Sequence, residues 1–184
     1  MKAAERFQQL VQSSSTKYDV FHVDLRPEWG CENENHRIEI RKGILEYLKQ
    51  HHPDQVADSI WDLETPPLLK NLFVSISHCE GIGGFALCSK GLGLDIERTD
   101  RISQKIIDRI STENEIEQAP HFELLWPAKE SVFKCSTEFY TISQIQITQW
   151  QKSQDETFSF TSLTANGWAF MDSTYSFALA IKKL

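Results

Sequence analysis

Two acids, Asp95 and Glu97, stand two positions apart in the stretch GLGLDIE at 91–97. The apolar run before them reads as a strand, whose alternation sends both carboxylates to one face. Side by side they repel, and a shared divalent cation removes the conflict. Two carboxylates and a third ligand, with waters and a phosphate completing an octahedron, commonly hold Mg²⁺. A solvated strand end with Glu97 paired to Arg98 is the plain alternative. A second cluster, WPAKESVFK at 126–134, puts Lys134 one helical turn after Glu130, so both project from the same side. Glu130 can then be the third carboxylate and Lys134 a contact for the metal-held phosphate, with a surface ion pair as the competing reading. A third, SISHCEG at 75–81, brings His78 out of a strand at a glycine turn beside Ser75 and Ser77. These side chains can donate to phosphate oxygens, unless His78 is a satisfied structural histidine. Together the three clusters point to pyrophosphate or phosphodiester chemistry.

Those groups need strands and helices to position them. YDVFHVDL at 18–25 alternates Phe21, Val23 and Leu25 and predicts a strand; HRIEIRKGILEYLKQ carries Ile44, Leu45 and Leu48 at helical spacing and ends before Pro53. Three short strands are predicted at 72–77, 82–88 and 91–96, joined by glycine turns. Residues 103–118 return to helix, with a Ser-Thr step at 111–112 able to cap a second one, and a third helix is predicted from Pro127 through AKESVFKC. The remainder reads as strand, ending in YSFALAIK. SHCEGIGGFAL and DSTYSFALAI echo one another faintly. The expectation is an α+β fold of two similar halves, 1–98 and 99–184, related by a pseudo-twofold with the site in the groove between them.

Composition narrows the classes. The chain has 184 residues, 40% hydrophobic and 11% aromatic, enough to fold around a substantial core. No apolar run approaches the ~18 residues of a membrane span, and MKAAERFQQL lacks the apolar centre of a secretory signal, so a cytoplasmic protein with no membrane role is expected. Cys31, Cys79, Cys88 and Cys135 show no C-x-x-C pairing, which argues against a zinc site or a disulfide framework. A net charge of −7 disfavours general nucleic-acid binding.

In order along the chain, S-x-S-H-x-x-G at 75–81, G-L-G-L-D-I-E at 91–97, R-I-S-T-E-N-E at 109–115 and W-P-A-K-E-S-V-F-K at 126–134 resemble the 4′-phosphopantetheinyl transferase superfamily. Its members move the phosphopantetheine arm of coenzyme A to a serine of a carrier protein. The resemblance therefore implies a Mg²⁺-dependent transferase with coenzyme A as co-substrate and an apo acyl carrier protein or carrier domain as partner. GLGLDI reads like the short, trimer-forming holo-acyl-carrier-protein synthases of fatty acid biosynthesis. Chain length and the internal echo instead favour the double-length form, similar to the surfactin-synthetase activators, and a pseudo-dimeric monomer.

Carried over by position, the family pattern implies Asp95, Glu97 and Glu130 as Mg²⁺ ligands, His78 and Lys134 as contacts for coenzyme A phosphates, and Arg37 as the residue for the adenosine 3′-phosphate. Lys129 accompanies Glu130 in the motif and is expected at a phosphate or in packing, and Glu115 matches an acid near the carrier-facing side. Where the long form often has G-K-P ahead of its histidine motif, this chain has Glu64-Thr65-Pro66, one phosphate-contacting lysine fewer. The implied step is attack of the carrier serine on the β-phosphate, with adenosine 3′,5′-bisphosphate leaving, Glu130 taking the proton, and Lys134 and His78 stabilising charge. Arg98, Arg101, Lys105 and Arg109 could offer an acidic carrier a basic patch, or be a solvated helix face. Two other readings stay open: a homologue that binds carrier or coenzyme A without transfer, and a Mg²⁺-dependent nuclease, which the lack of a strongly basic surface disfavours.

Overall fold

The computed structural model describes residues 2–14, 21–56, 58–136, 138–153 and 157–183. Ala4, Phe7 and Val11 recur at three- and four-residue steps and form the buried stripe of a first helix, α1 (Lys2–Ser14), which the sequence reading did not anticipate. Strand β1 (Phe21–Arg26) buries Val23 and Leu25; positions 18–20 of the expected strand lie outside the described residues. Ile40, Ile44 and Leu48 line the buried side of α2 (His36–His51), which stops just short of Pro53. Strands β2 (Phe73–Cys79), β3 (Ile82–Cys88) and β4 (Leu92–Arg98) follow as expected. The β2–β3 turn needs Gly81, whose φ of 84° suits glycine, and the Glu32 carboxylate accepts its amide.

The helical stretch after residue 103 is two short helices, α3 (Gln104–Ile110) and α4 (Glu113–Gln118), divided where Thr112 caps α4 in a reciprocal box with Glu115. Helix α5 (Leu125–Cys135) begins two residues before the expected Pro127, which sits in its first turn. Strands β5 (Ile147–Lys152), β6 (Phe158–Ser162), β7 (Ala165–Met171) and β8 (Tyr175–Lys182) complete the chain. β7 lacked an individual sequence signal because the buried positions of one of its faces, 165, 167 and 169, are Ala, Gly and Ala.

The fold is α+β, with two antiparallel sheets: β1-β3-β2 and β4-β8-β7-β6-β5. Helix α2 covers the outer face of the smaller sheet through Ile40, Ile44, Phe85 and Leu87. Helix α1 and the inward residues of both sheets share a central core, where Phe7 stacks on Phe177 at 5.3 Å. Helices α3 and α5 pack on the other face of the larger sheet, against Ala169, Ala178 and Ala180. No helix among the described residues is long and apolar enough to cross a membrane.

The sheets meet at their edge strands β2 and β4. The join is made by side chains: Ser75 Oγ accepts the Leu94 amide at 2.9 Å and Ser77 Oγ accepts the Ile96 amide at 3.1 Å. Leu92, Leu94 and Ile96 of β4 enter the central core, so Gly93, Asp95 and Glu97 take the opposite face, under α5. There α5 approaches so closely that a Cβ at residue 93 would strike the Ser131 carbonyl and lie 2.9 Å from both Cys135 N and Lys134 Cβ. A Gly93→Ala variant is expected to lose about 1–3 kcal/mol by forcing α5 outward, read as a lower urea midpoint at unchanged m-value.

Candidate active site

Under α5, the buried Asp95 carboxylate is held by two neighbours. Lys134 Nζ donates to Asp95 Oδ1 at 2.6 Å, and Ser77 Oγ donates to the same oxygen at 3.3 Å. Lys134 also donates to Leu94 O at 3.0 Å and to Ser77 Oγ at 3.3 Å. Asp95 Oδ2 is buried with no hydrogen-bond partner. Glu97, two residues on, accepts the Trp126 indole N–H at 3.3 Å. Burial, then the Asp95 charge and Glu130, pushes Glu97 up to about 7 against the opposing pull of Trp126 and Lys134. Glu130 is likewise raised, by burial first and by Asp95 second, with Lys134 opposing. Three carboxylates thus crowd one ammonium, a distribution that calls for more positive charge.

Lys134 also lines a cleft of about 400 Å³ between α2, residues 63–66, β2 and the end of α5. Arg37 and Arg41 enter it from α2, one turn apart, and His78 from β2. Arg41 is buried: Nε donates to Asp62 O at 2.8 Å, Nη2 to Thr65 O at 2.9 Å and Nη1 to Arg37 O at 3.4 Å. The His78 ring meets His36 edge-on at 4.2 Å. Burial, then His36, Arg37, Lys134 and Arg41, pushes His78 down to about 4, so it is a neutral imidazole at physiological pH, able to donate one hydrogen bond but not a charge.

A basic cleft and a carboxylate cluster therefore share one lysine. Residues 91–181, which contain β4, α5 and β8, match the model of the family described as the 4′-phosphopantetheinyl transferase superfamily. This segment belongs to that superfamily. No curated protein matches the chain significantly. Phosphopantetheinyl transfer, with coenzyme A and a carrier protein as the reacting partners, is thus the general activity of its class.

Within this phosphopantetheinyl transferase segment, Asp95, Glu97, Glu130 and Lys134 lie together on β4 and α5; from outside it, His78 and Arg37 join Lys134 at the cleft. Ser77, expected at a phosphate, is occupied with the sheet join and Asp95. The sequence motifs alone do not reveal the roles of Arg41 and Trp126; for Arg41 the available signal is its i,i+4 relation to Arg37. Among the described residues, no three His, Cys, Asp or Glu side chains stand close enough to hold a metal ion, and the place beside Asp95 Oδ1 is taken by the Lys134 ammonium. The donor set nevertheless suits a hard divalent cation: an unpartnered buried carboxylate oxygen, flanked by two acids raised by burial and by the Asp95 charge.

Of the two roles expected of Lys129, phosphate contact or packing, its placement matches packing. Its side chain has 0% exposure and lies 2.7 Å from Glu115. Its Nζ donates to Ile110 O at 2.8 Å and Ile145 O at 2.6 Å, and it lines neither the cleft nor the acid cluster. The Glu115 carboxylate also accepts the Ile147 and Thr112 amides, both at 3.0 Å, and so pins β5 and the start of α4 to α5. Burial raises the Glu115 value, but the Lys129 bond and these two amides outweigh it and hold the acid below its ordinary 4.5. Lys129→Met should destabilise the fold by about 3–5 kcal/mol, because it strands a buried carboxylate. Since the folded Glu115 value is depressed, its contribution is complete above about pH 4.5 and drains away as pH falls through the lower folded value. A thermal-unfolding series from pH 7 to 3 should therefore show a steeper acid decline for the native chain than for Glu115→Gln.

Proposed function

We propose that the protein transfers the 4′-phosphopantetheine arm of coenzyme A to a serine of an apo acyl carrier protein or carrier domain, releasing adenosine 3′,5′-bisphosphate with Mg²⁺ as the required cation. The observation that carries this reading is the double engagement of Lys134, which is 2.6 Å from Asp95 Oδ1 and also lines the Arg37–Arg41–His78 cleft. A pyrophosphate bound there has one end among cations and the other beside the acids. Asp95, Glu97 and Glu130 are the residues that would hold Mg²⁺, which when bound neutralises charge on the pyrophosphate and draws the acids together.

The steps fall to the chain's own side chains. Arg37 receives the nucleotide phosphate, Lys134 follows the negative charge that grows on the leaving phosphate, and neutral His78 donates a hydrogen bond without adding charge. Glu130, raised by burial and by Asp95, is suited to accept the serine proton as the oxygen attacks the β-phosphate. On the approach side, Lys105 and Arg109 are exposed on α3, whereas Arg98 is paired with Asp100 and Arg101 with Glu80 at 2.8 Å each. Lys105 and Arg109 are thus the pair readiest to meet an acidic carrier, beside the apolar Ile106 and Trp126 surface. The working unit is taken as one chain, since α2, β2, β4 and α5 of one chain supply every named group.

Intact-mass measurement of a panel of apo carriers, incubated with coenzyme A and Mg²⁺, should show one phosphopantetheine added to the cognate carrier; no gain on any of them removes the proposal. Glu130→Gln should bind coenzyme A but transfer at least about 100-fold more slowly. Mg²⁺ alone should raise the unfolding temperature of the native chain and leave Asp95→Asn unmoved. Equal shifts in both would remove Asp95 from the metal.

A further inference from the structure

Among the described residues that line the cleft there is one acid, Glu64, and its position is built. Asp62 Oδ1 accepts the Glu64 amide at 2.9 Å, and Asp62 Oδ2 accepts the Thr65 hydroxyl, closing a tight turn. Buried Arg41 then fastens both ends of the turn to α2 through Asp62 O and Thr65 O. The backbone of Glu64 is therefore held while its side chain, 87% exposed, extends to Arg37, with Oε1 3.8 Å from Nη1. So loose and solvated a pair adds little to the fold. Its consequence is for the cleft: Arg41 is committed to three carbonyls and Lys134 is paired with the buried Asp95, whereas Arg37 is paired with an exposed side chain that can easily let go.

Resting on the reading of this cleft as the coenzyme A site, we propose that Glu64 is a specificity-determining residue that competes with the ligand's terminal phosphate for Arg37 and so narrows the preference for 3′-phosphorylated coenzyme A over its dephosphorylated form. A phosphate dianion must displace the carboxylate from the guanidinium and then remain near it. A nucleotide lacking that phosphate leaves the pair undisturbed. Both ligands carry the pyrophosphate, so interactions at Lys134 and His78 cancel in the ratio of their affinities.

Calorimetric titration of coenzyme A and dephospho-coenzyme A into the native protein, Glu64→Gln, Arg37→Gln and the double variant measures that ratio, with circular dichroism confirming that each is folded. Glu64→Gln should widen the preference for coenzyme A by roughly threefold to tenfold, almost wholly through tighter binding of the phosphorylated ligand. In the Arg37→Gln background the same change should leave the ratio within about twofold. Binding of both ligands with a ratio that Glu64→Gln does not move overturns the role of Glu64 and leaves the cleft assignment standing. An equal widening with and without Arg37 also overturns it, because the acid would then act by direct repulsion. Failure of either ligand to bind any folded variant overturns the cleft assignment and the competition with it.

Discussion

Two hydroxyl groups hold the functional geometry together. Ser75 and Ser77 give β2 a hold on the amides of β4 that a neighbouring strand would otherwise supply, so two sheets with separate ladders are locked edge to edge. The cleft is made by α2 and β2, and the acid cluster by β4 and α5. On top of the shared core, the serine join fixes the register of β2 against β4 and so lets Lys134 address both. Ser77 has a second task in the same place, since its proton goes to Asp95. A hydroxyl that accepts from a backbone and a lysine while donating to a carboxylate has its bonding capacity filled. That satisfaction is what allows polar atoms to be buried at the junction.

The electrostatic arrangement divides the lysines and arginines into two kinds. Lys129 and Arg41 are buried and spent on backbone carbonyls, where they hold loops and helix ends in place. Lys134 and Arg37 remain partly open to solvent, with side-chain exposures of 31% and 47%, and keep contacts that a ligand can replace. The adjacent Lys129 and Glu130 of the motif thus part company: one anchors α5 beneath the sheet, and the other faces the acids. Helix geometry separates consecutive residues by about 100°, enough to send one into the core and the other to the site.

Much of this was legible in the sequence where a simple period survives. α2, β2–β4 and β8 keep clean apolar spacing, and the Thr112–Glu115 cap is visible as S/T-x-x-E. The co-location of Asp95, Glu97, Glu130 and Lys134 was accessible through alternation and the helical turn, with the family resemblance bringing the two segments together. α1 was legible in principle, through Ala4, Phe7 and Val11, but its polar remainder obscured the stripe. What could not be read is which side chains are spent internally. Nothing about a lysine in W-P-A-K-E says that Glu115 and two carbonyls will surround it, and nothing in S-x-S says that the serines serve a sheet edge before any ligand.

The strand that bears Asp95 and Glu97 lies beside β8, which comes much later in the sequence, with Asp95 opposite Ala178 and Glu97 opposite Ser176. As the nascent chain leaves the ribosome, α2 and the β2–β3 hairpin can form early from local contacts. β4 must wait for residues 175–182 before its ladder exists, and until then it is a bare edge open to unwanted partners. Vectorial synthesis therefore withholds the acidic half of the site until residues 175–182 have been made, while the basic half can form before them.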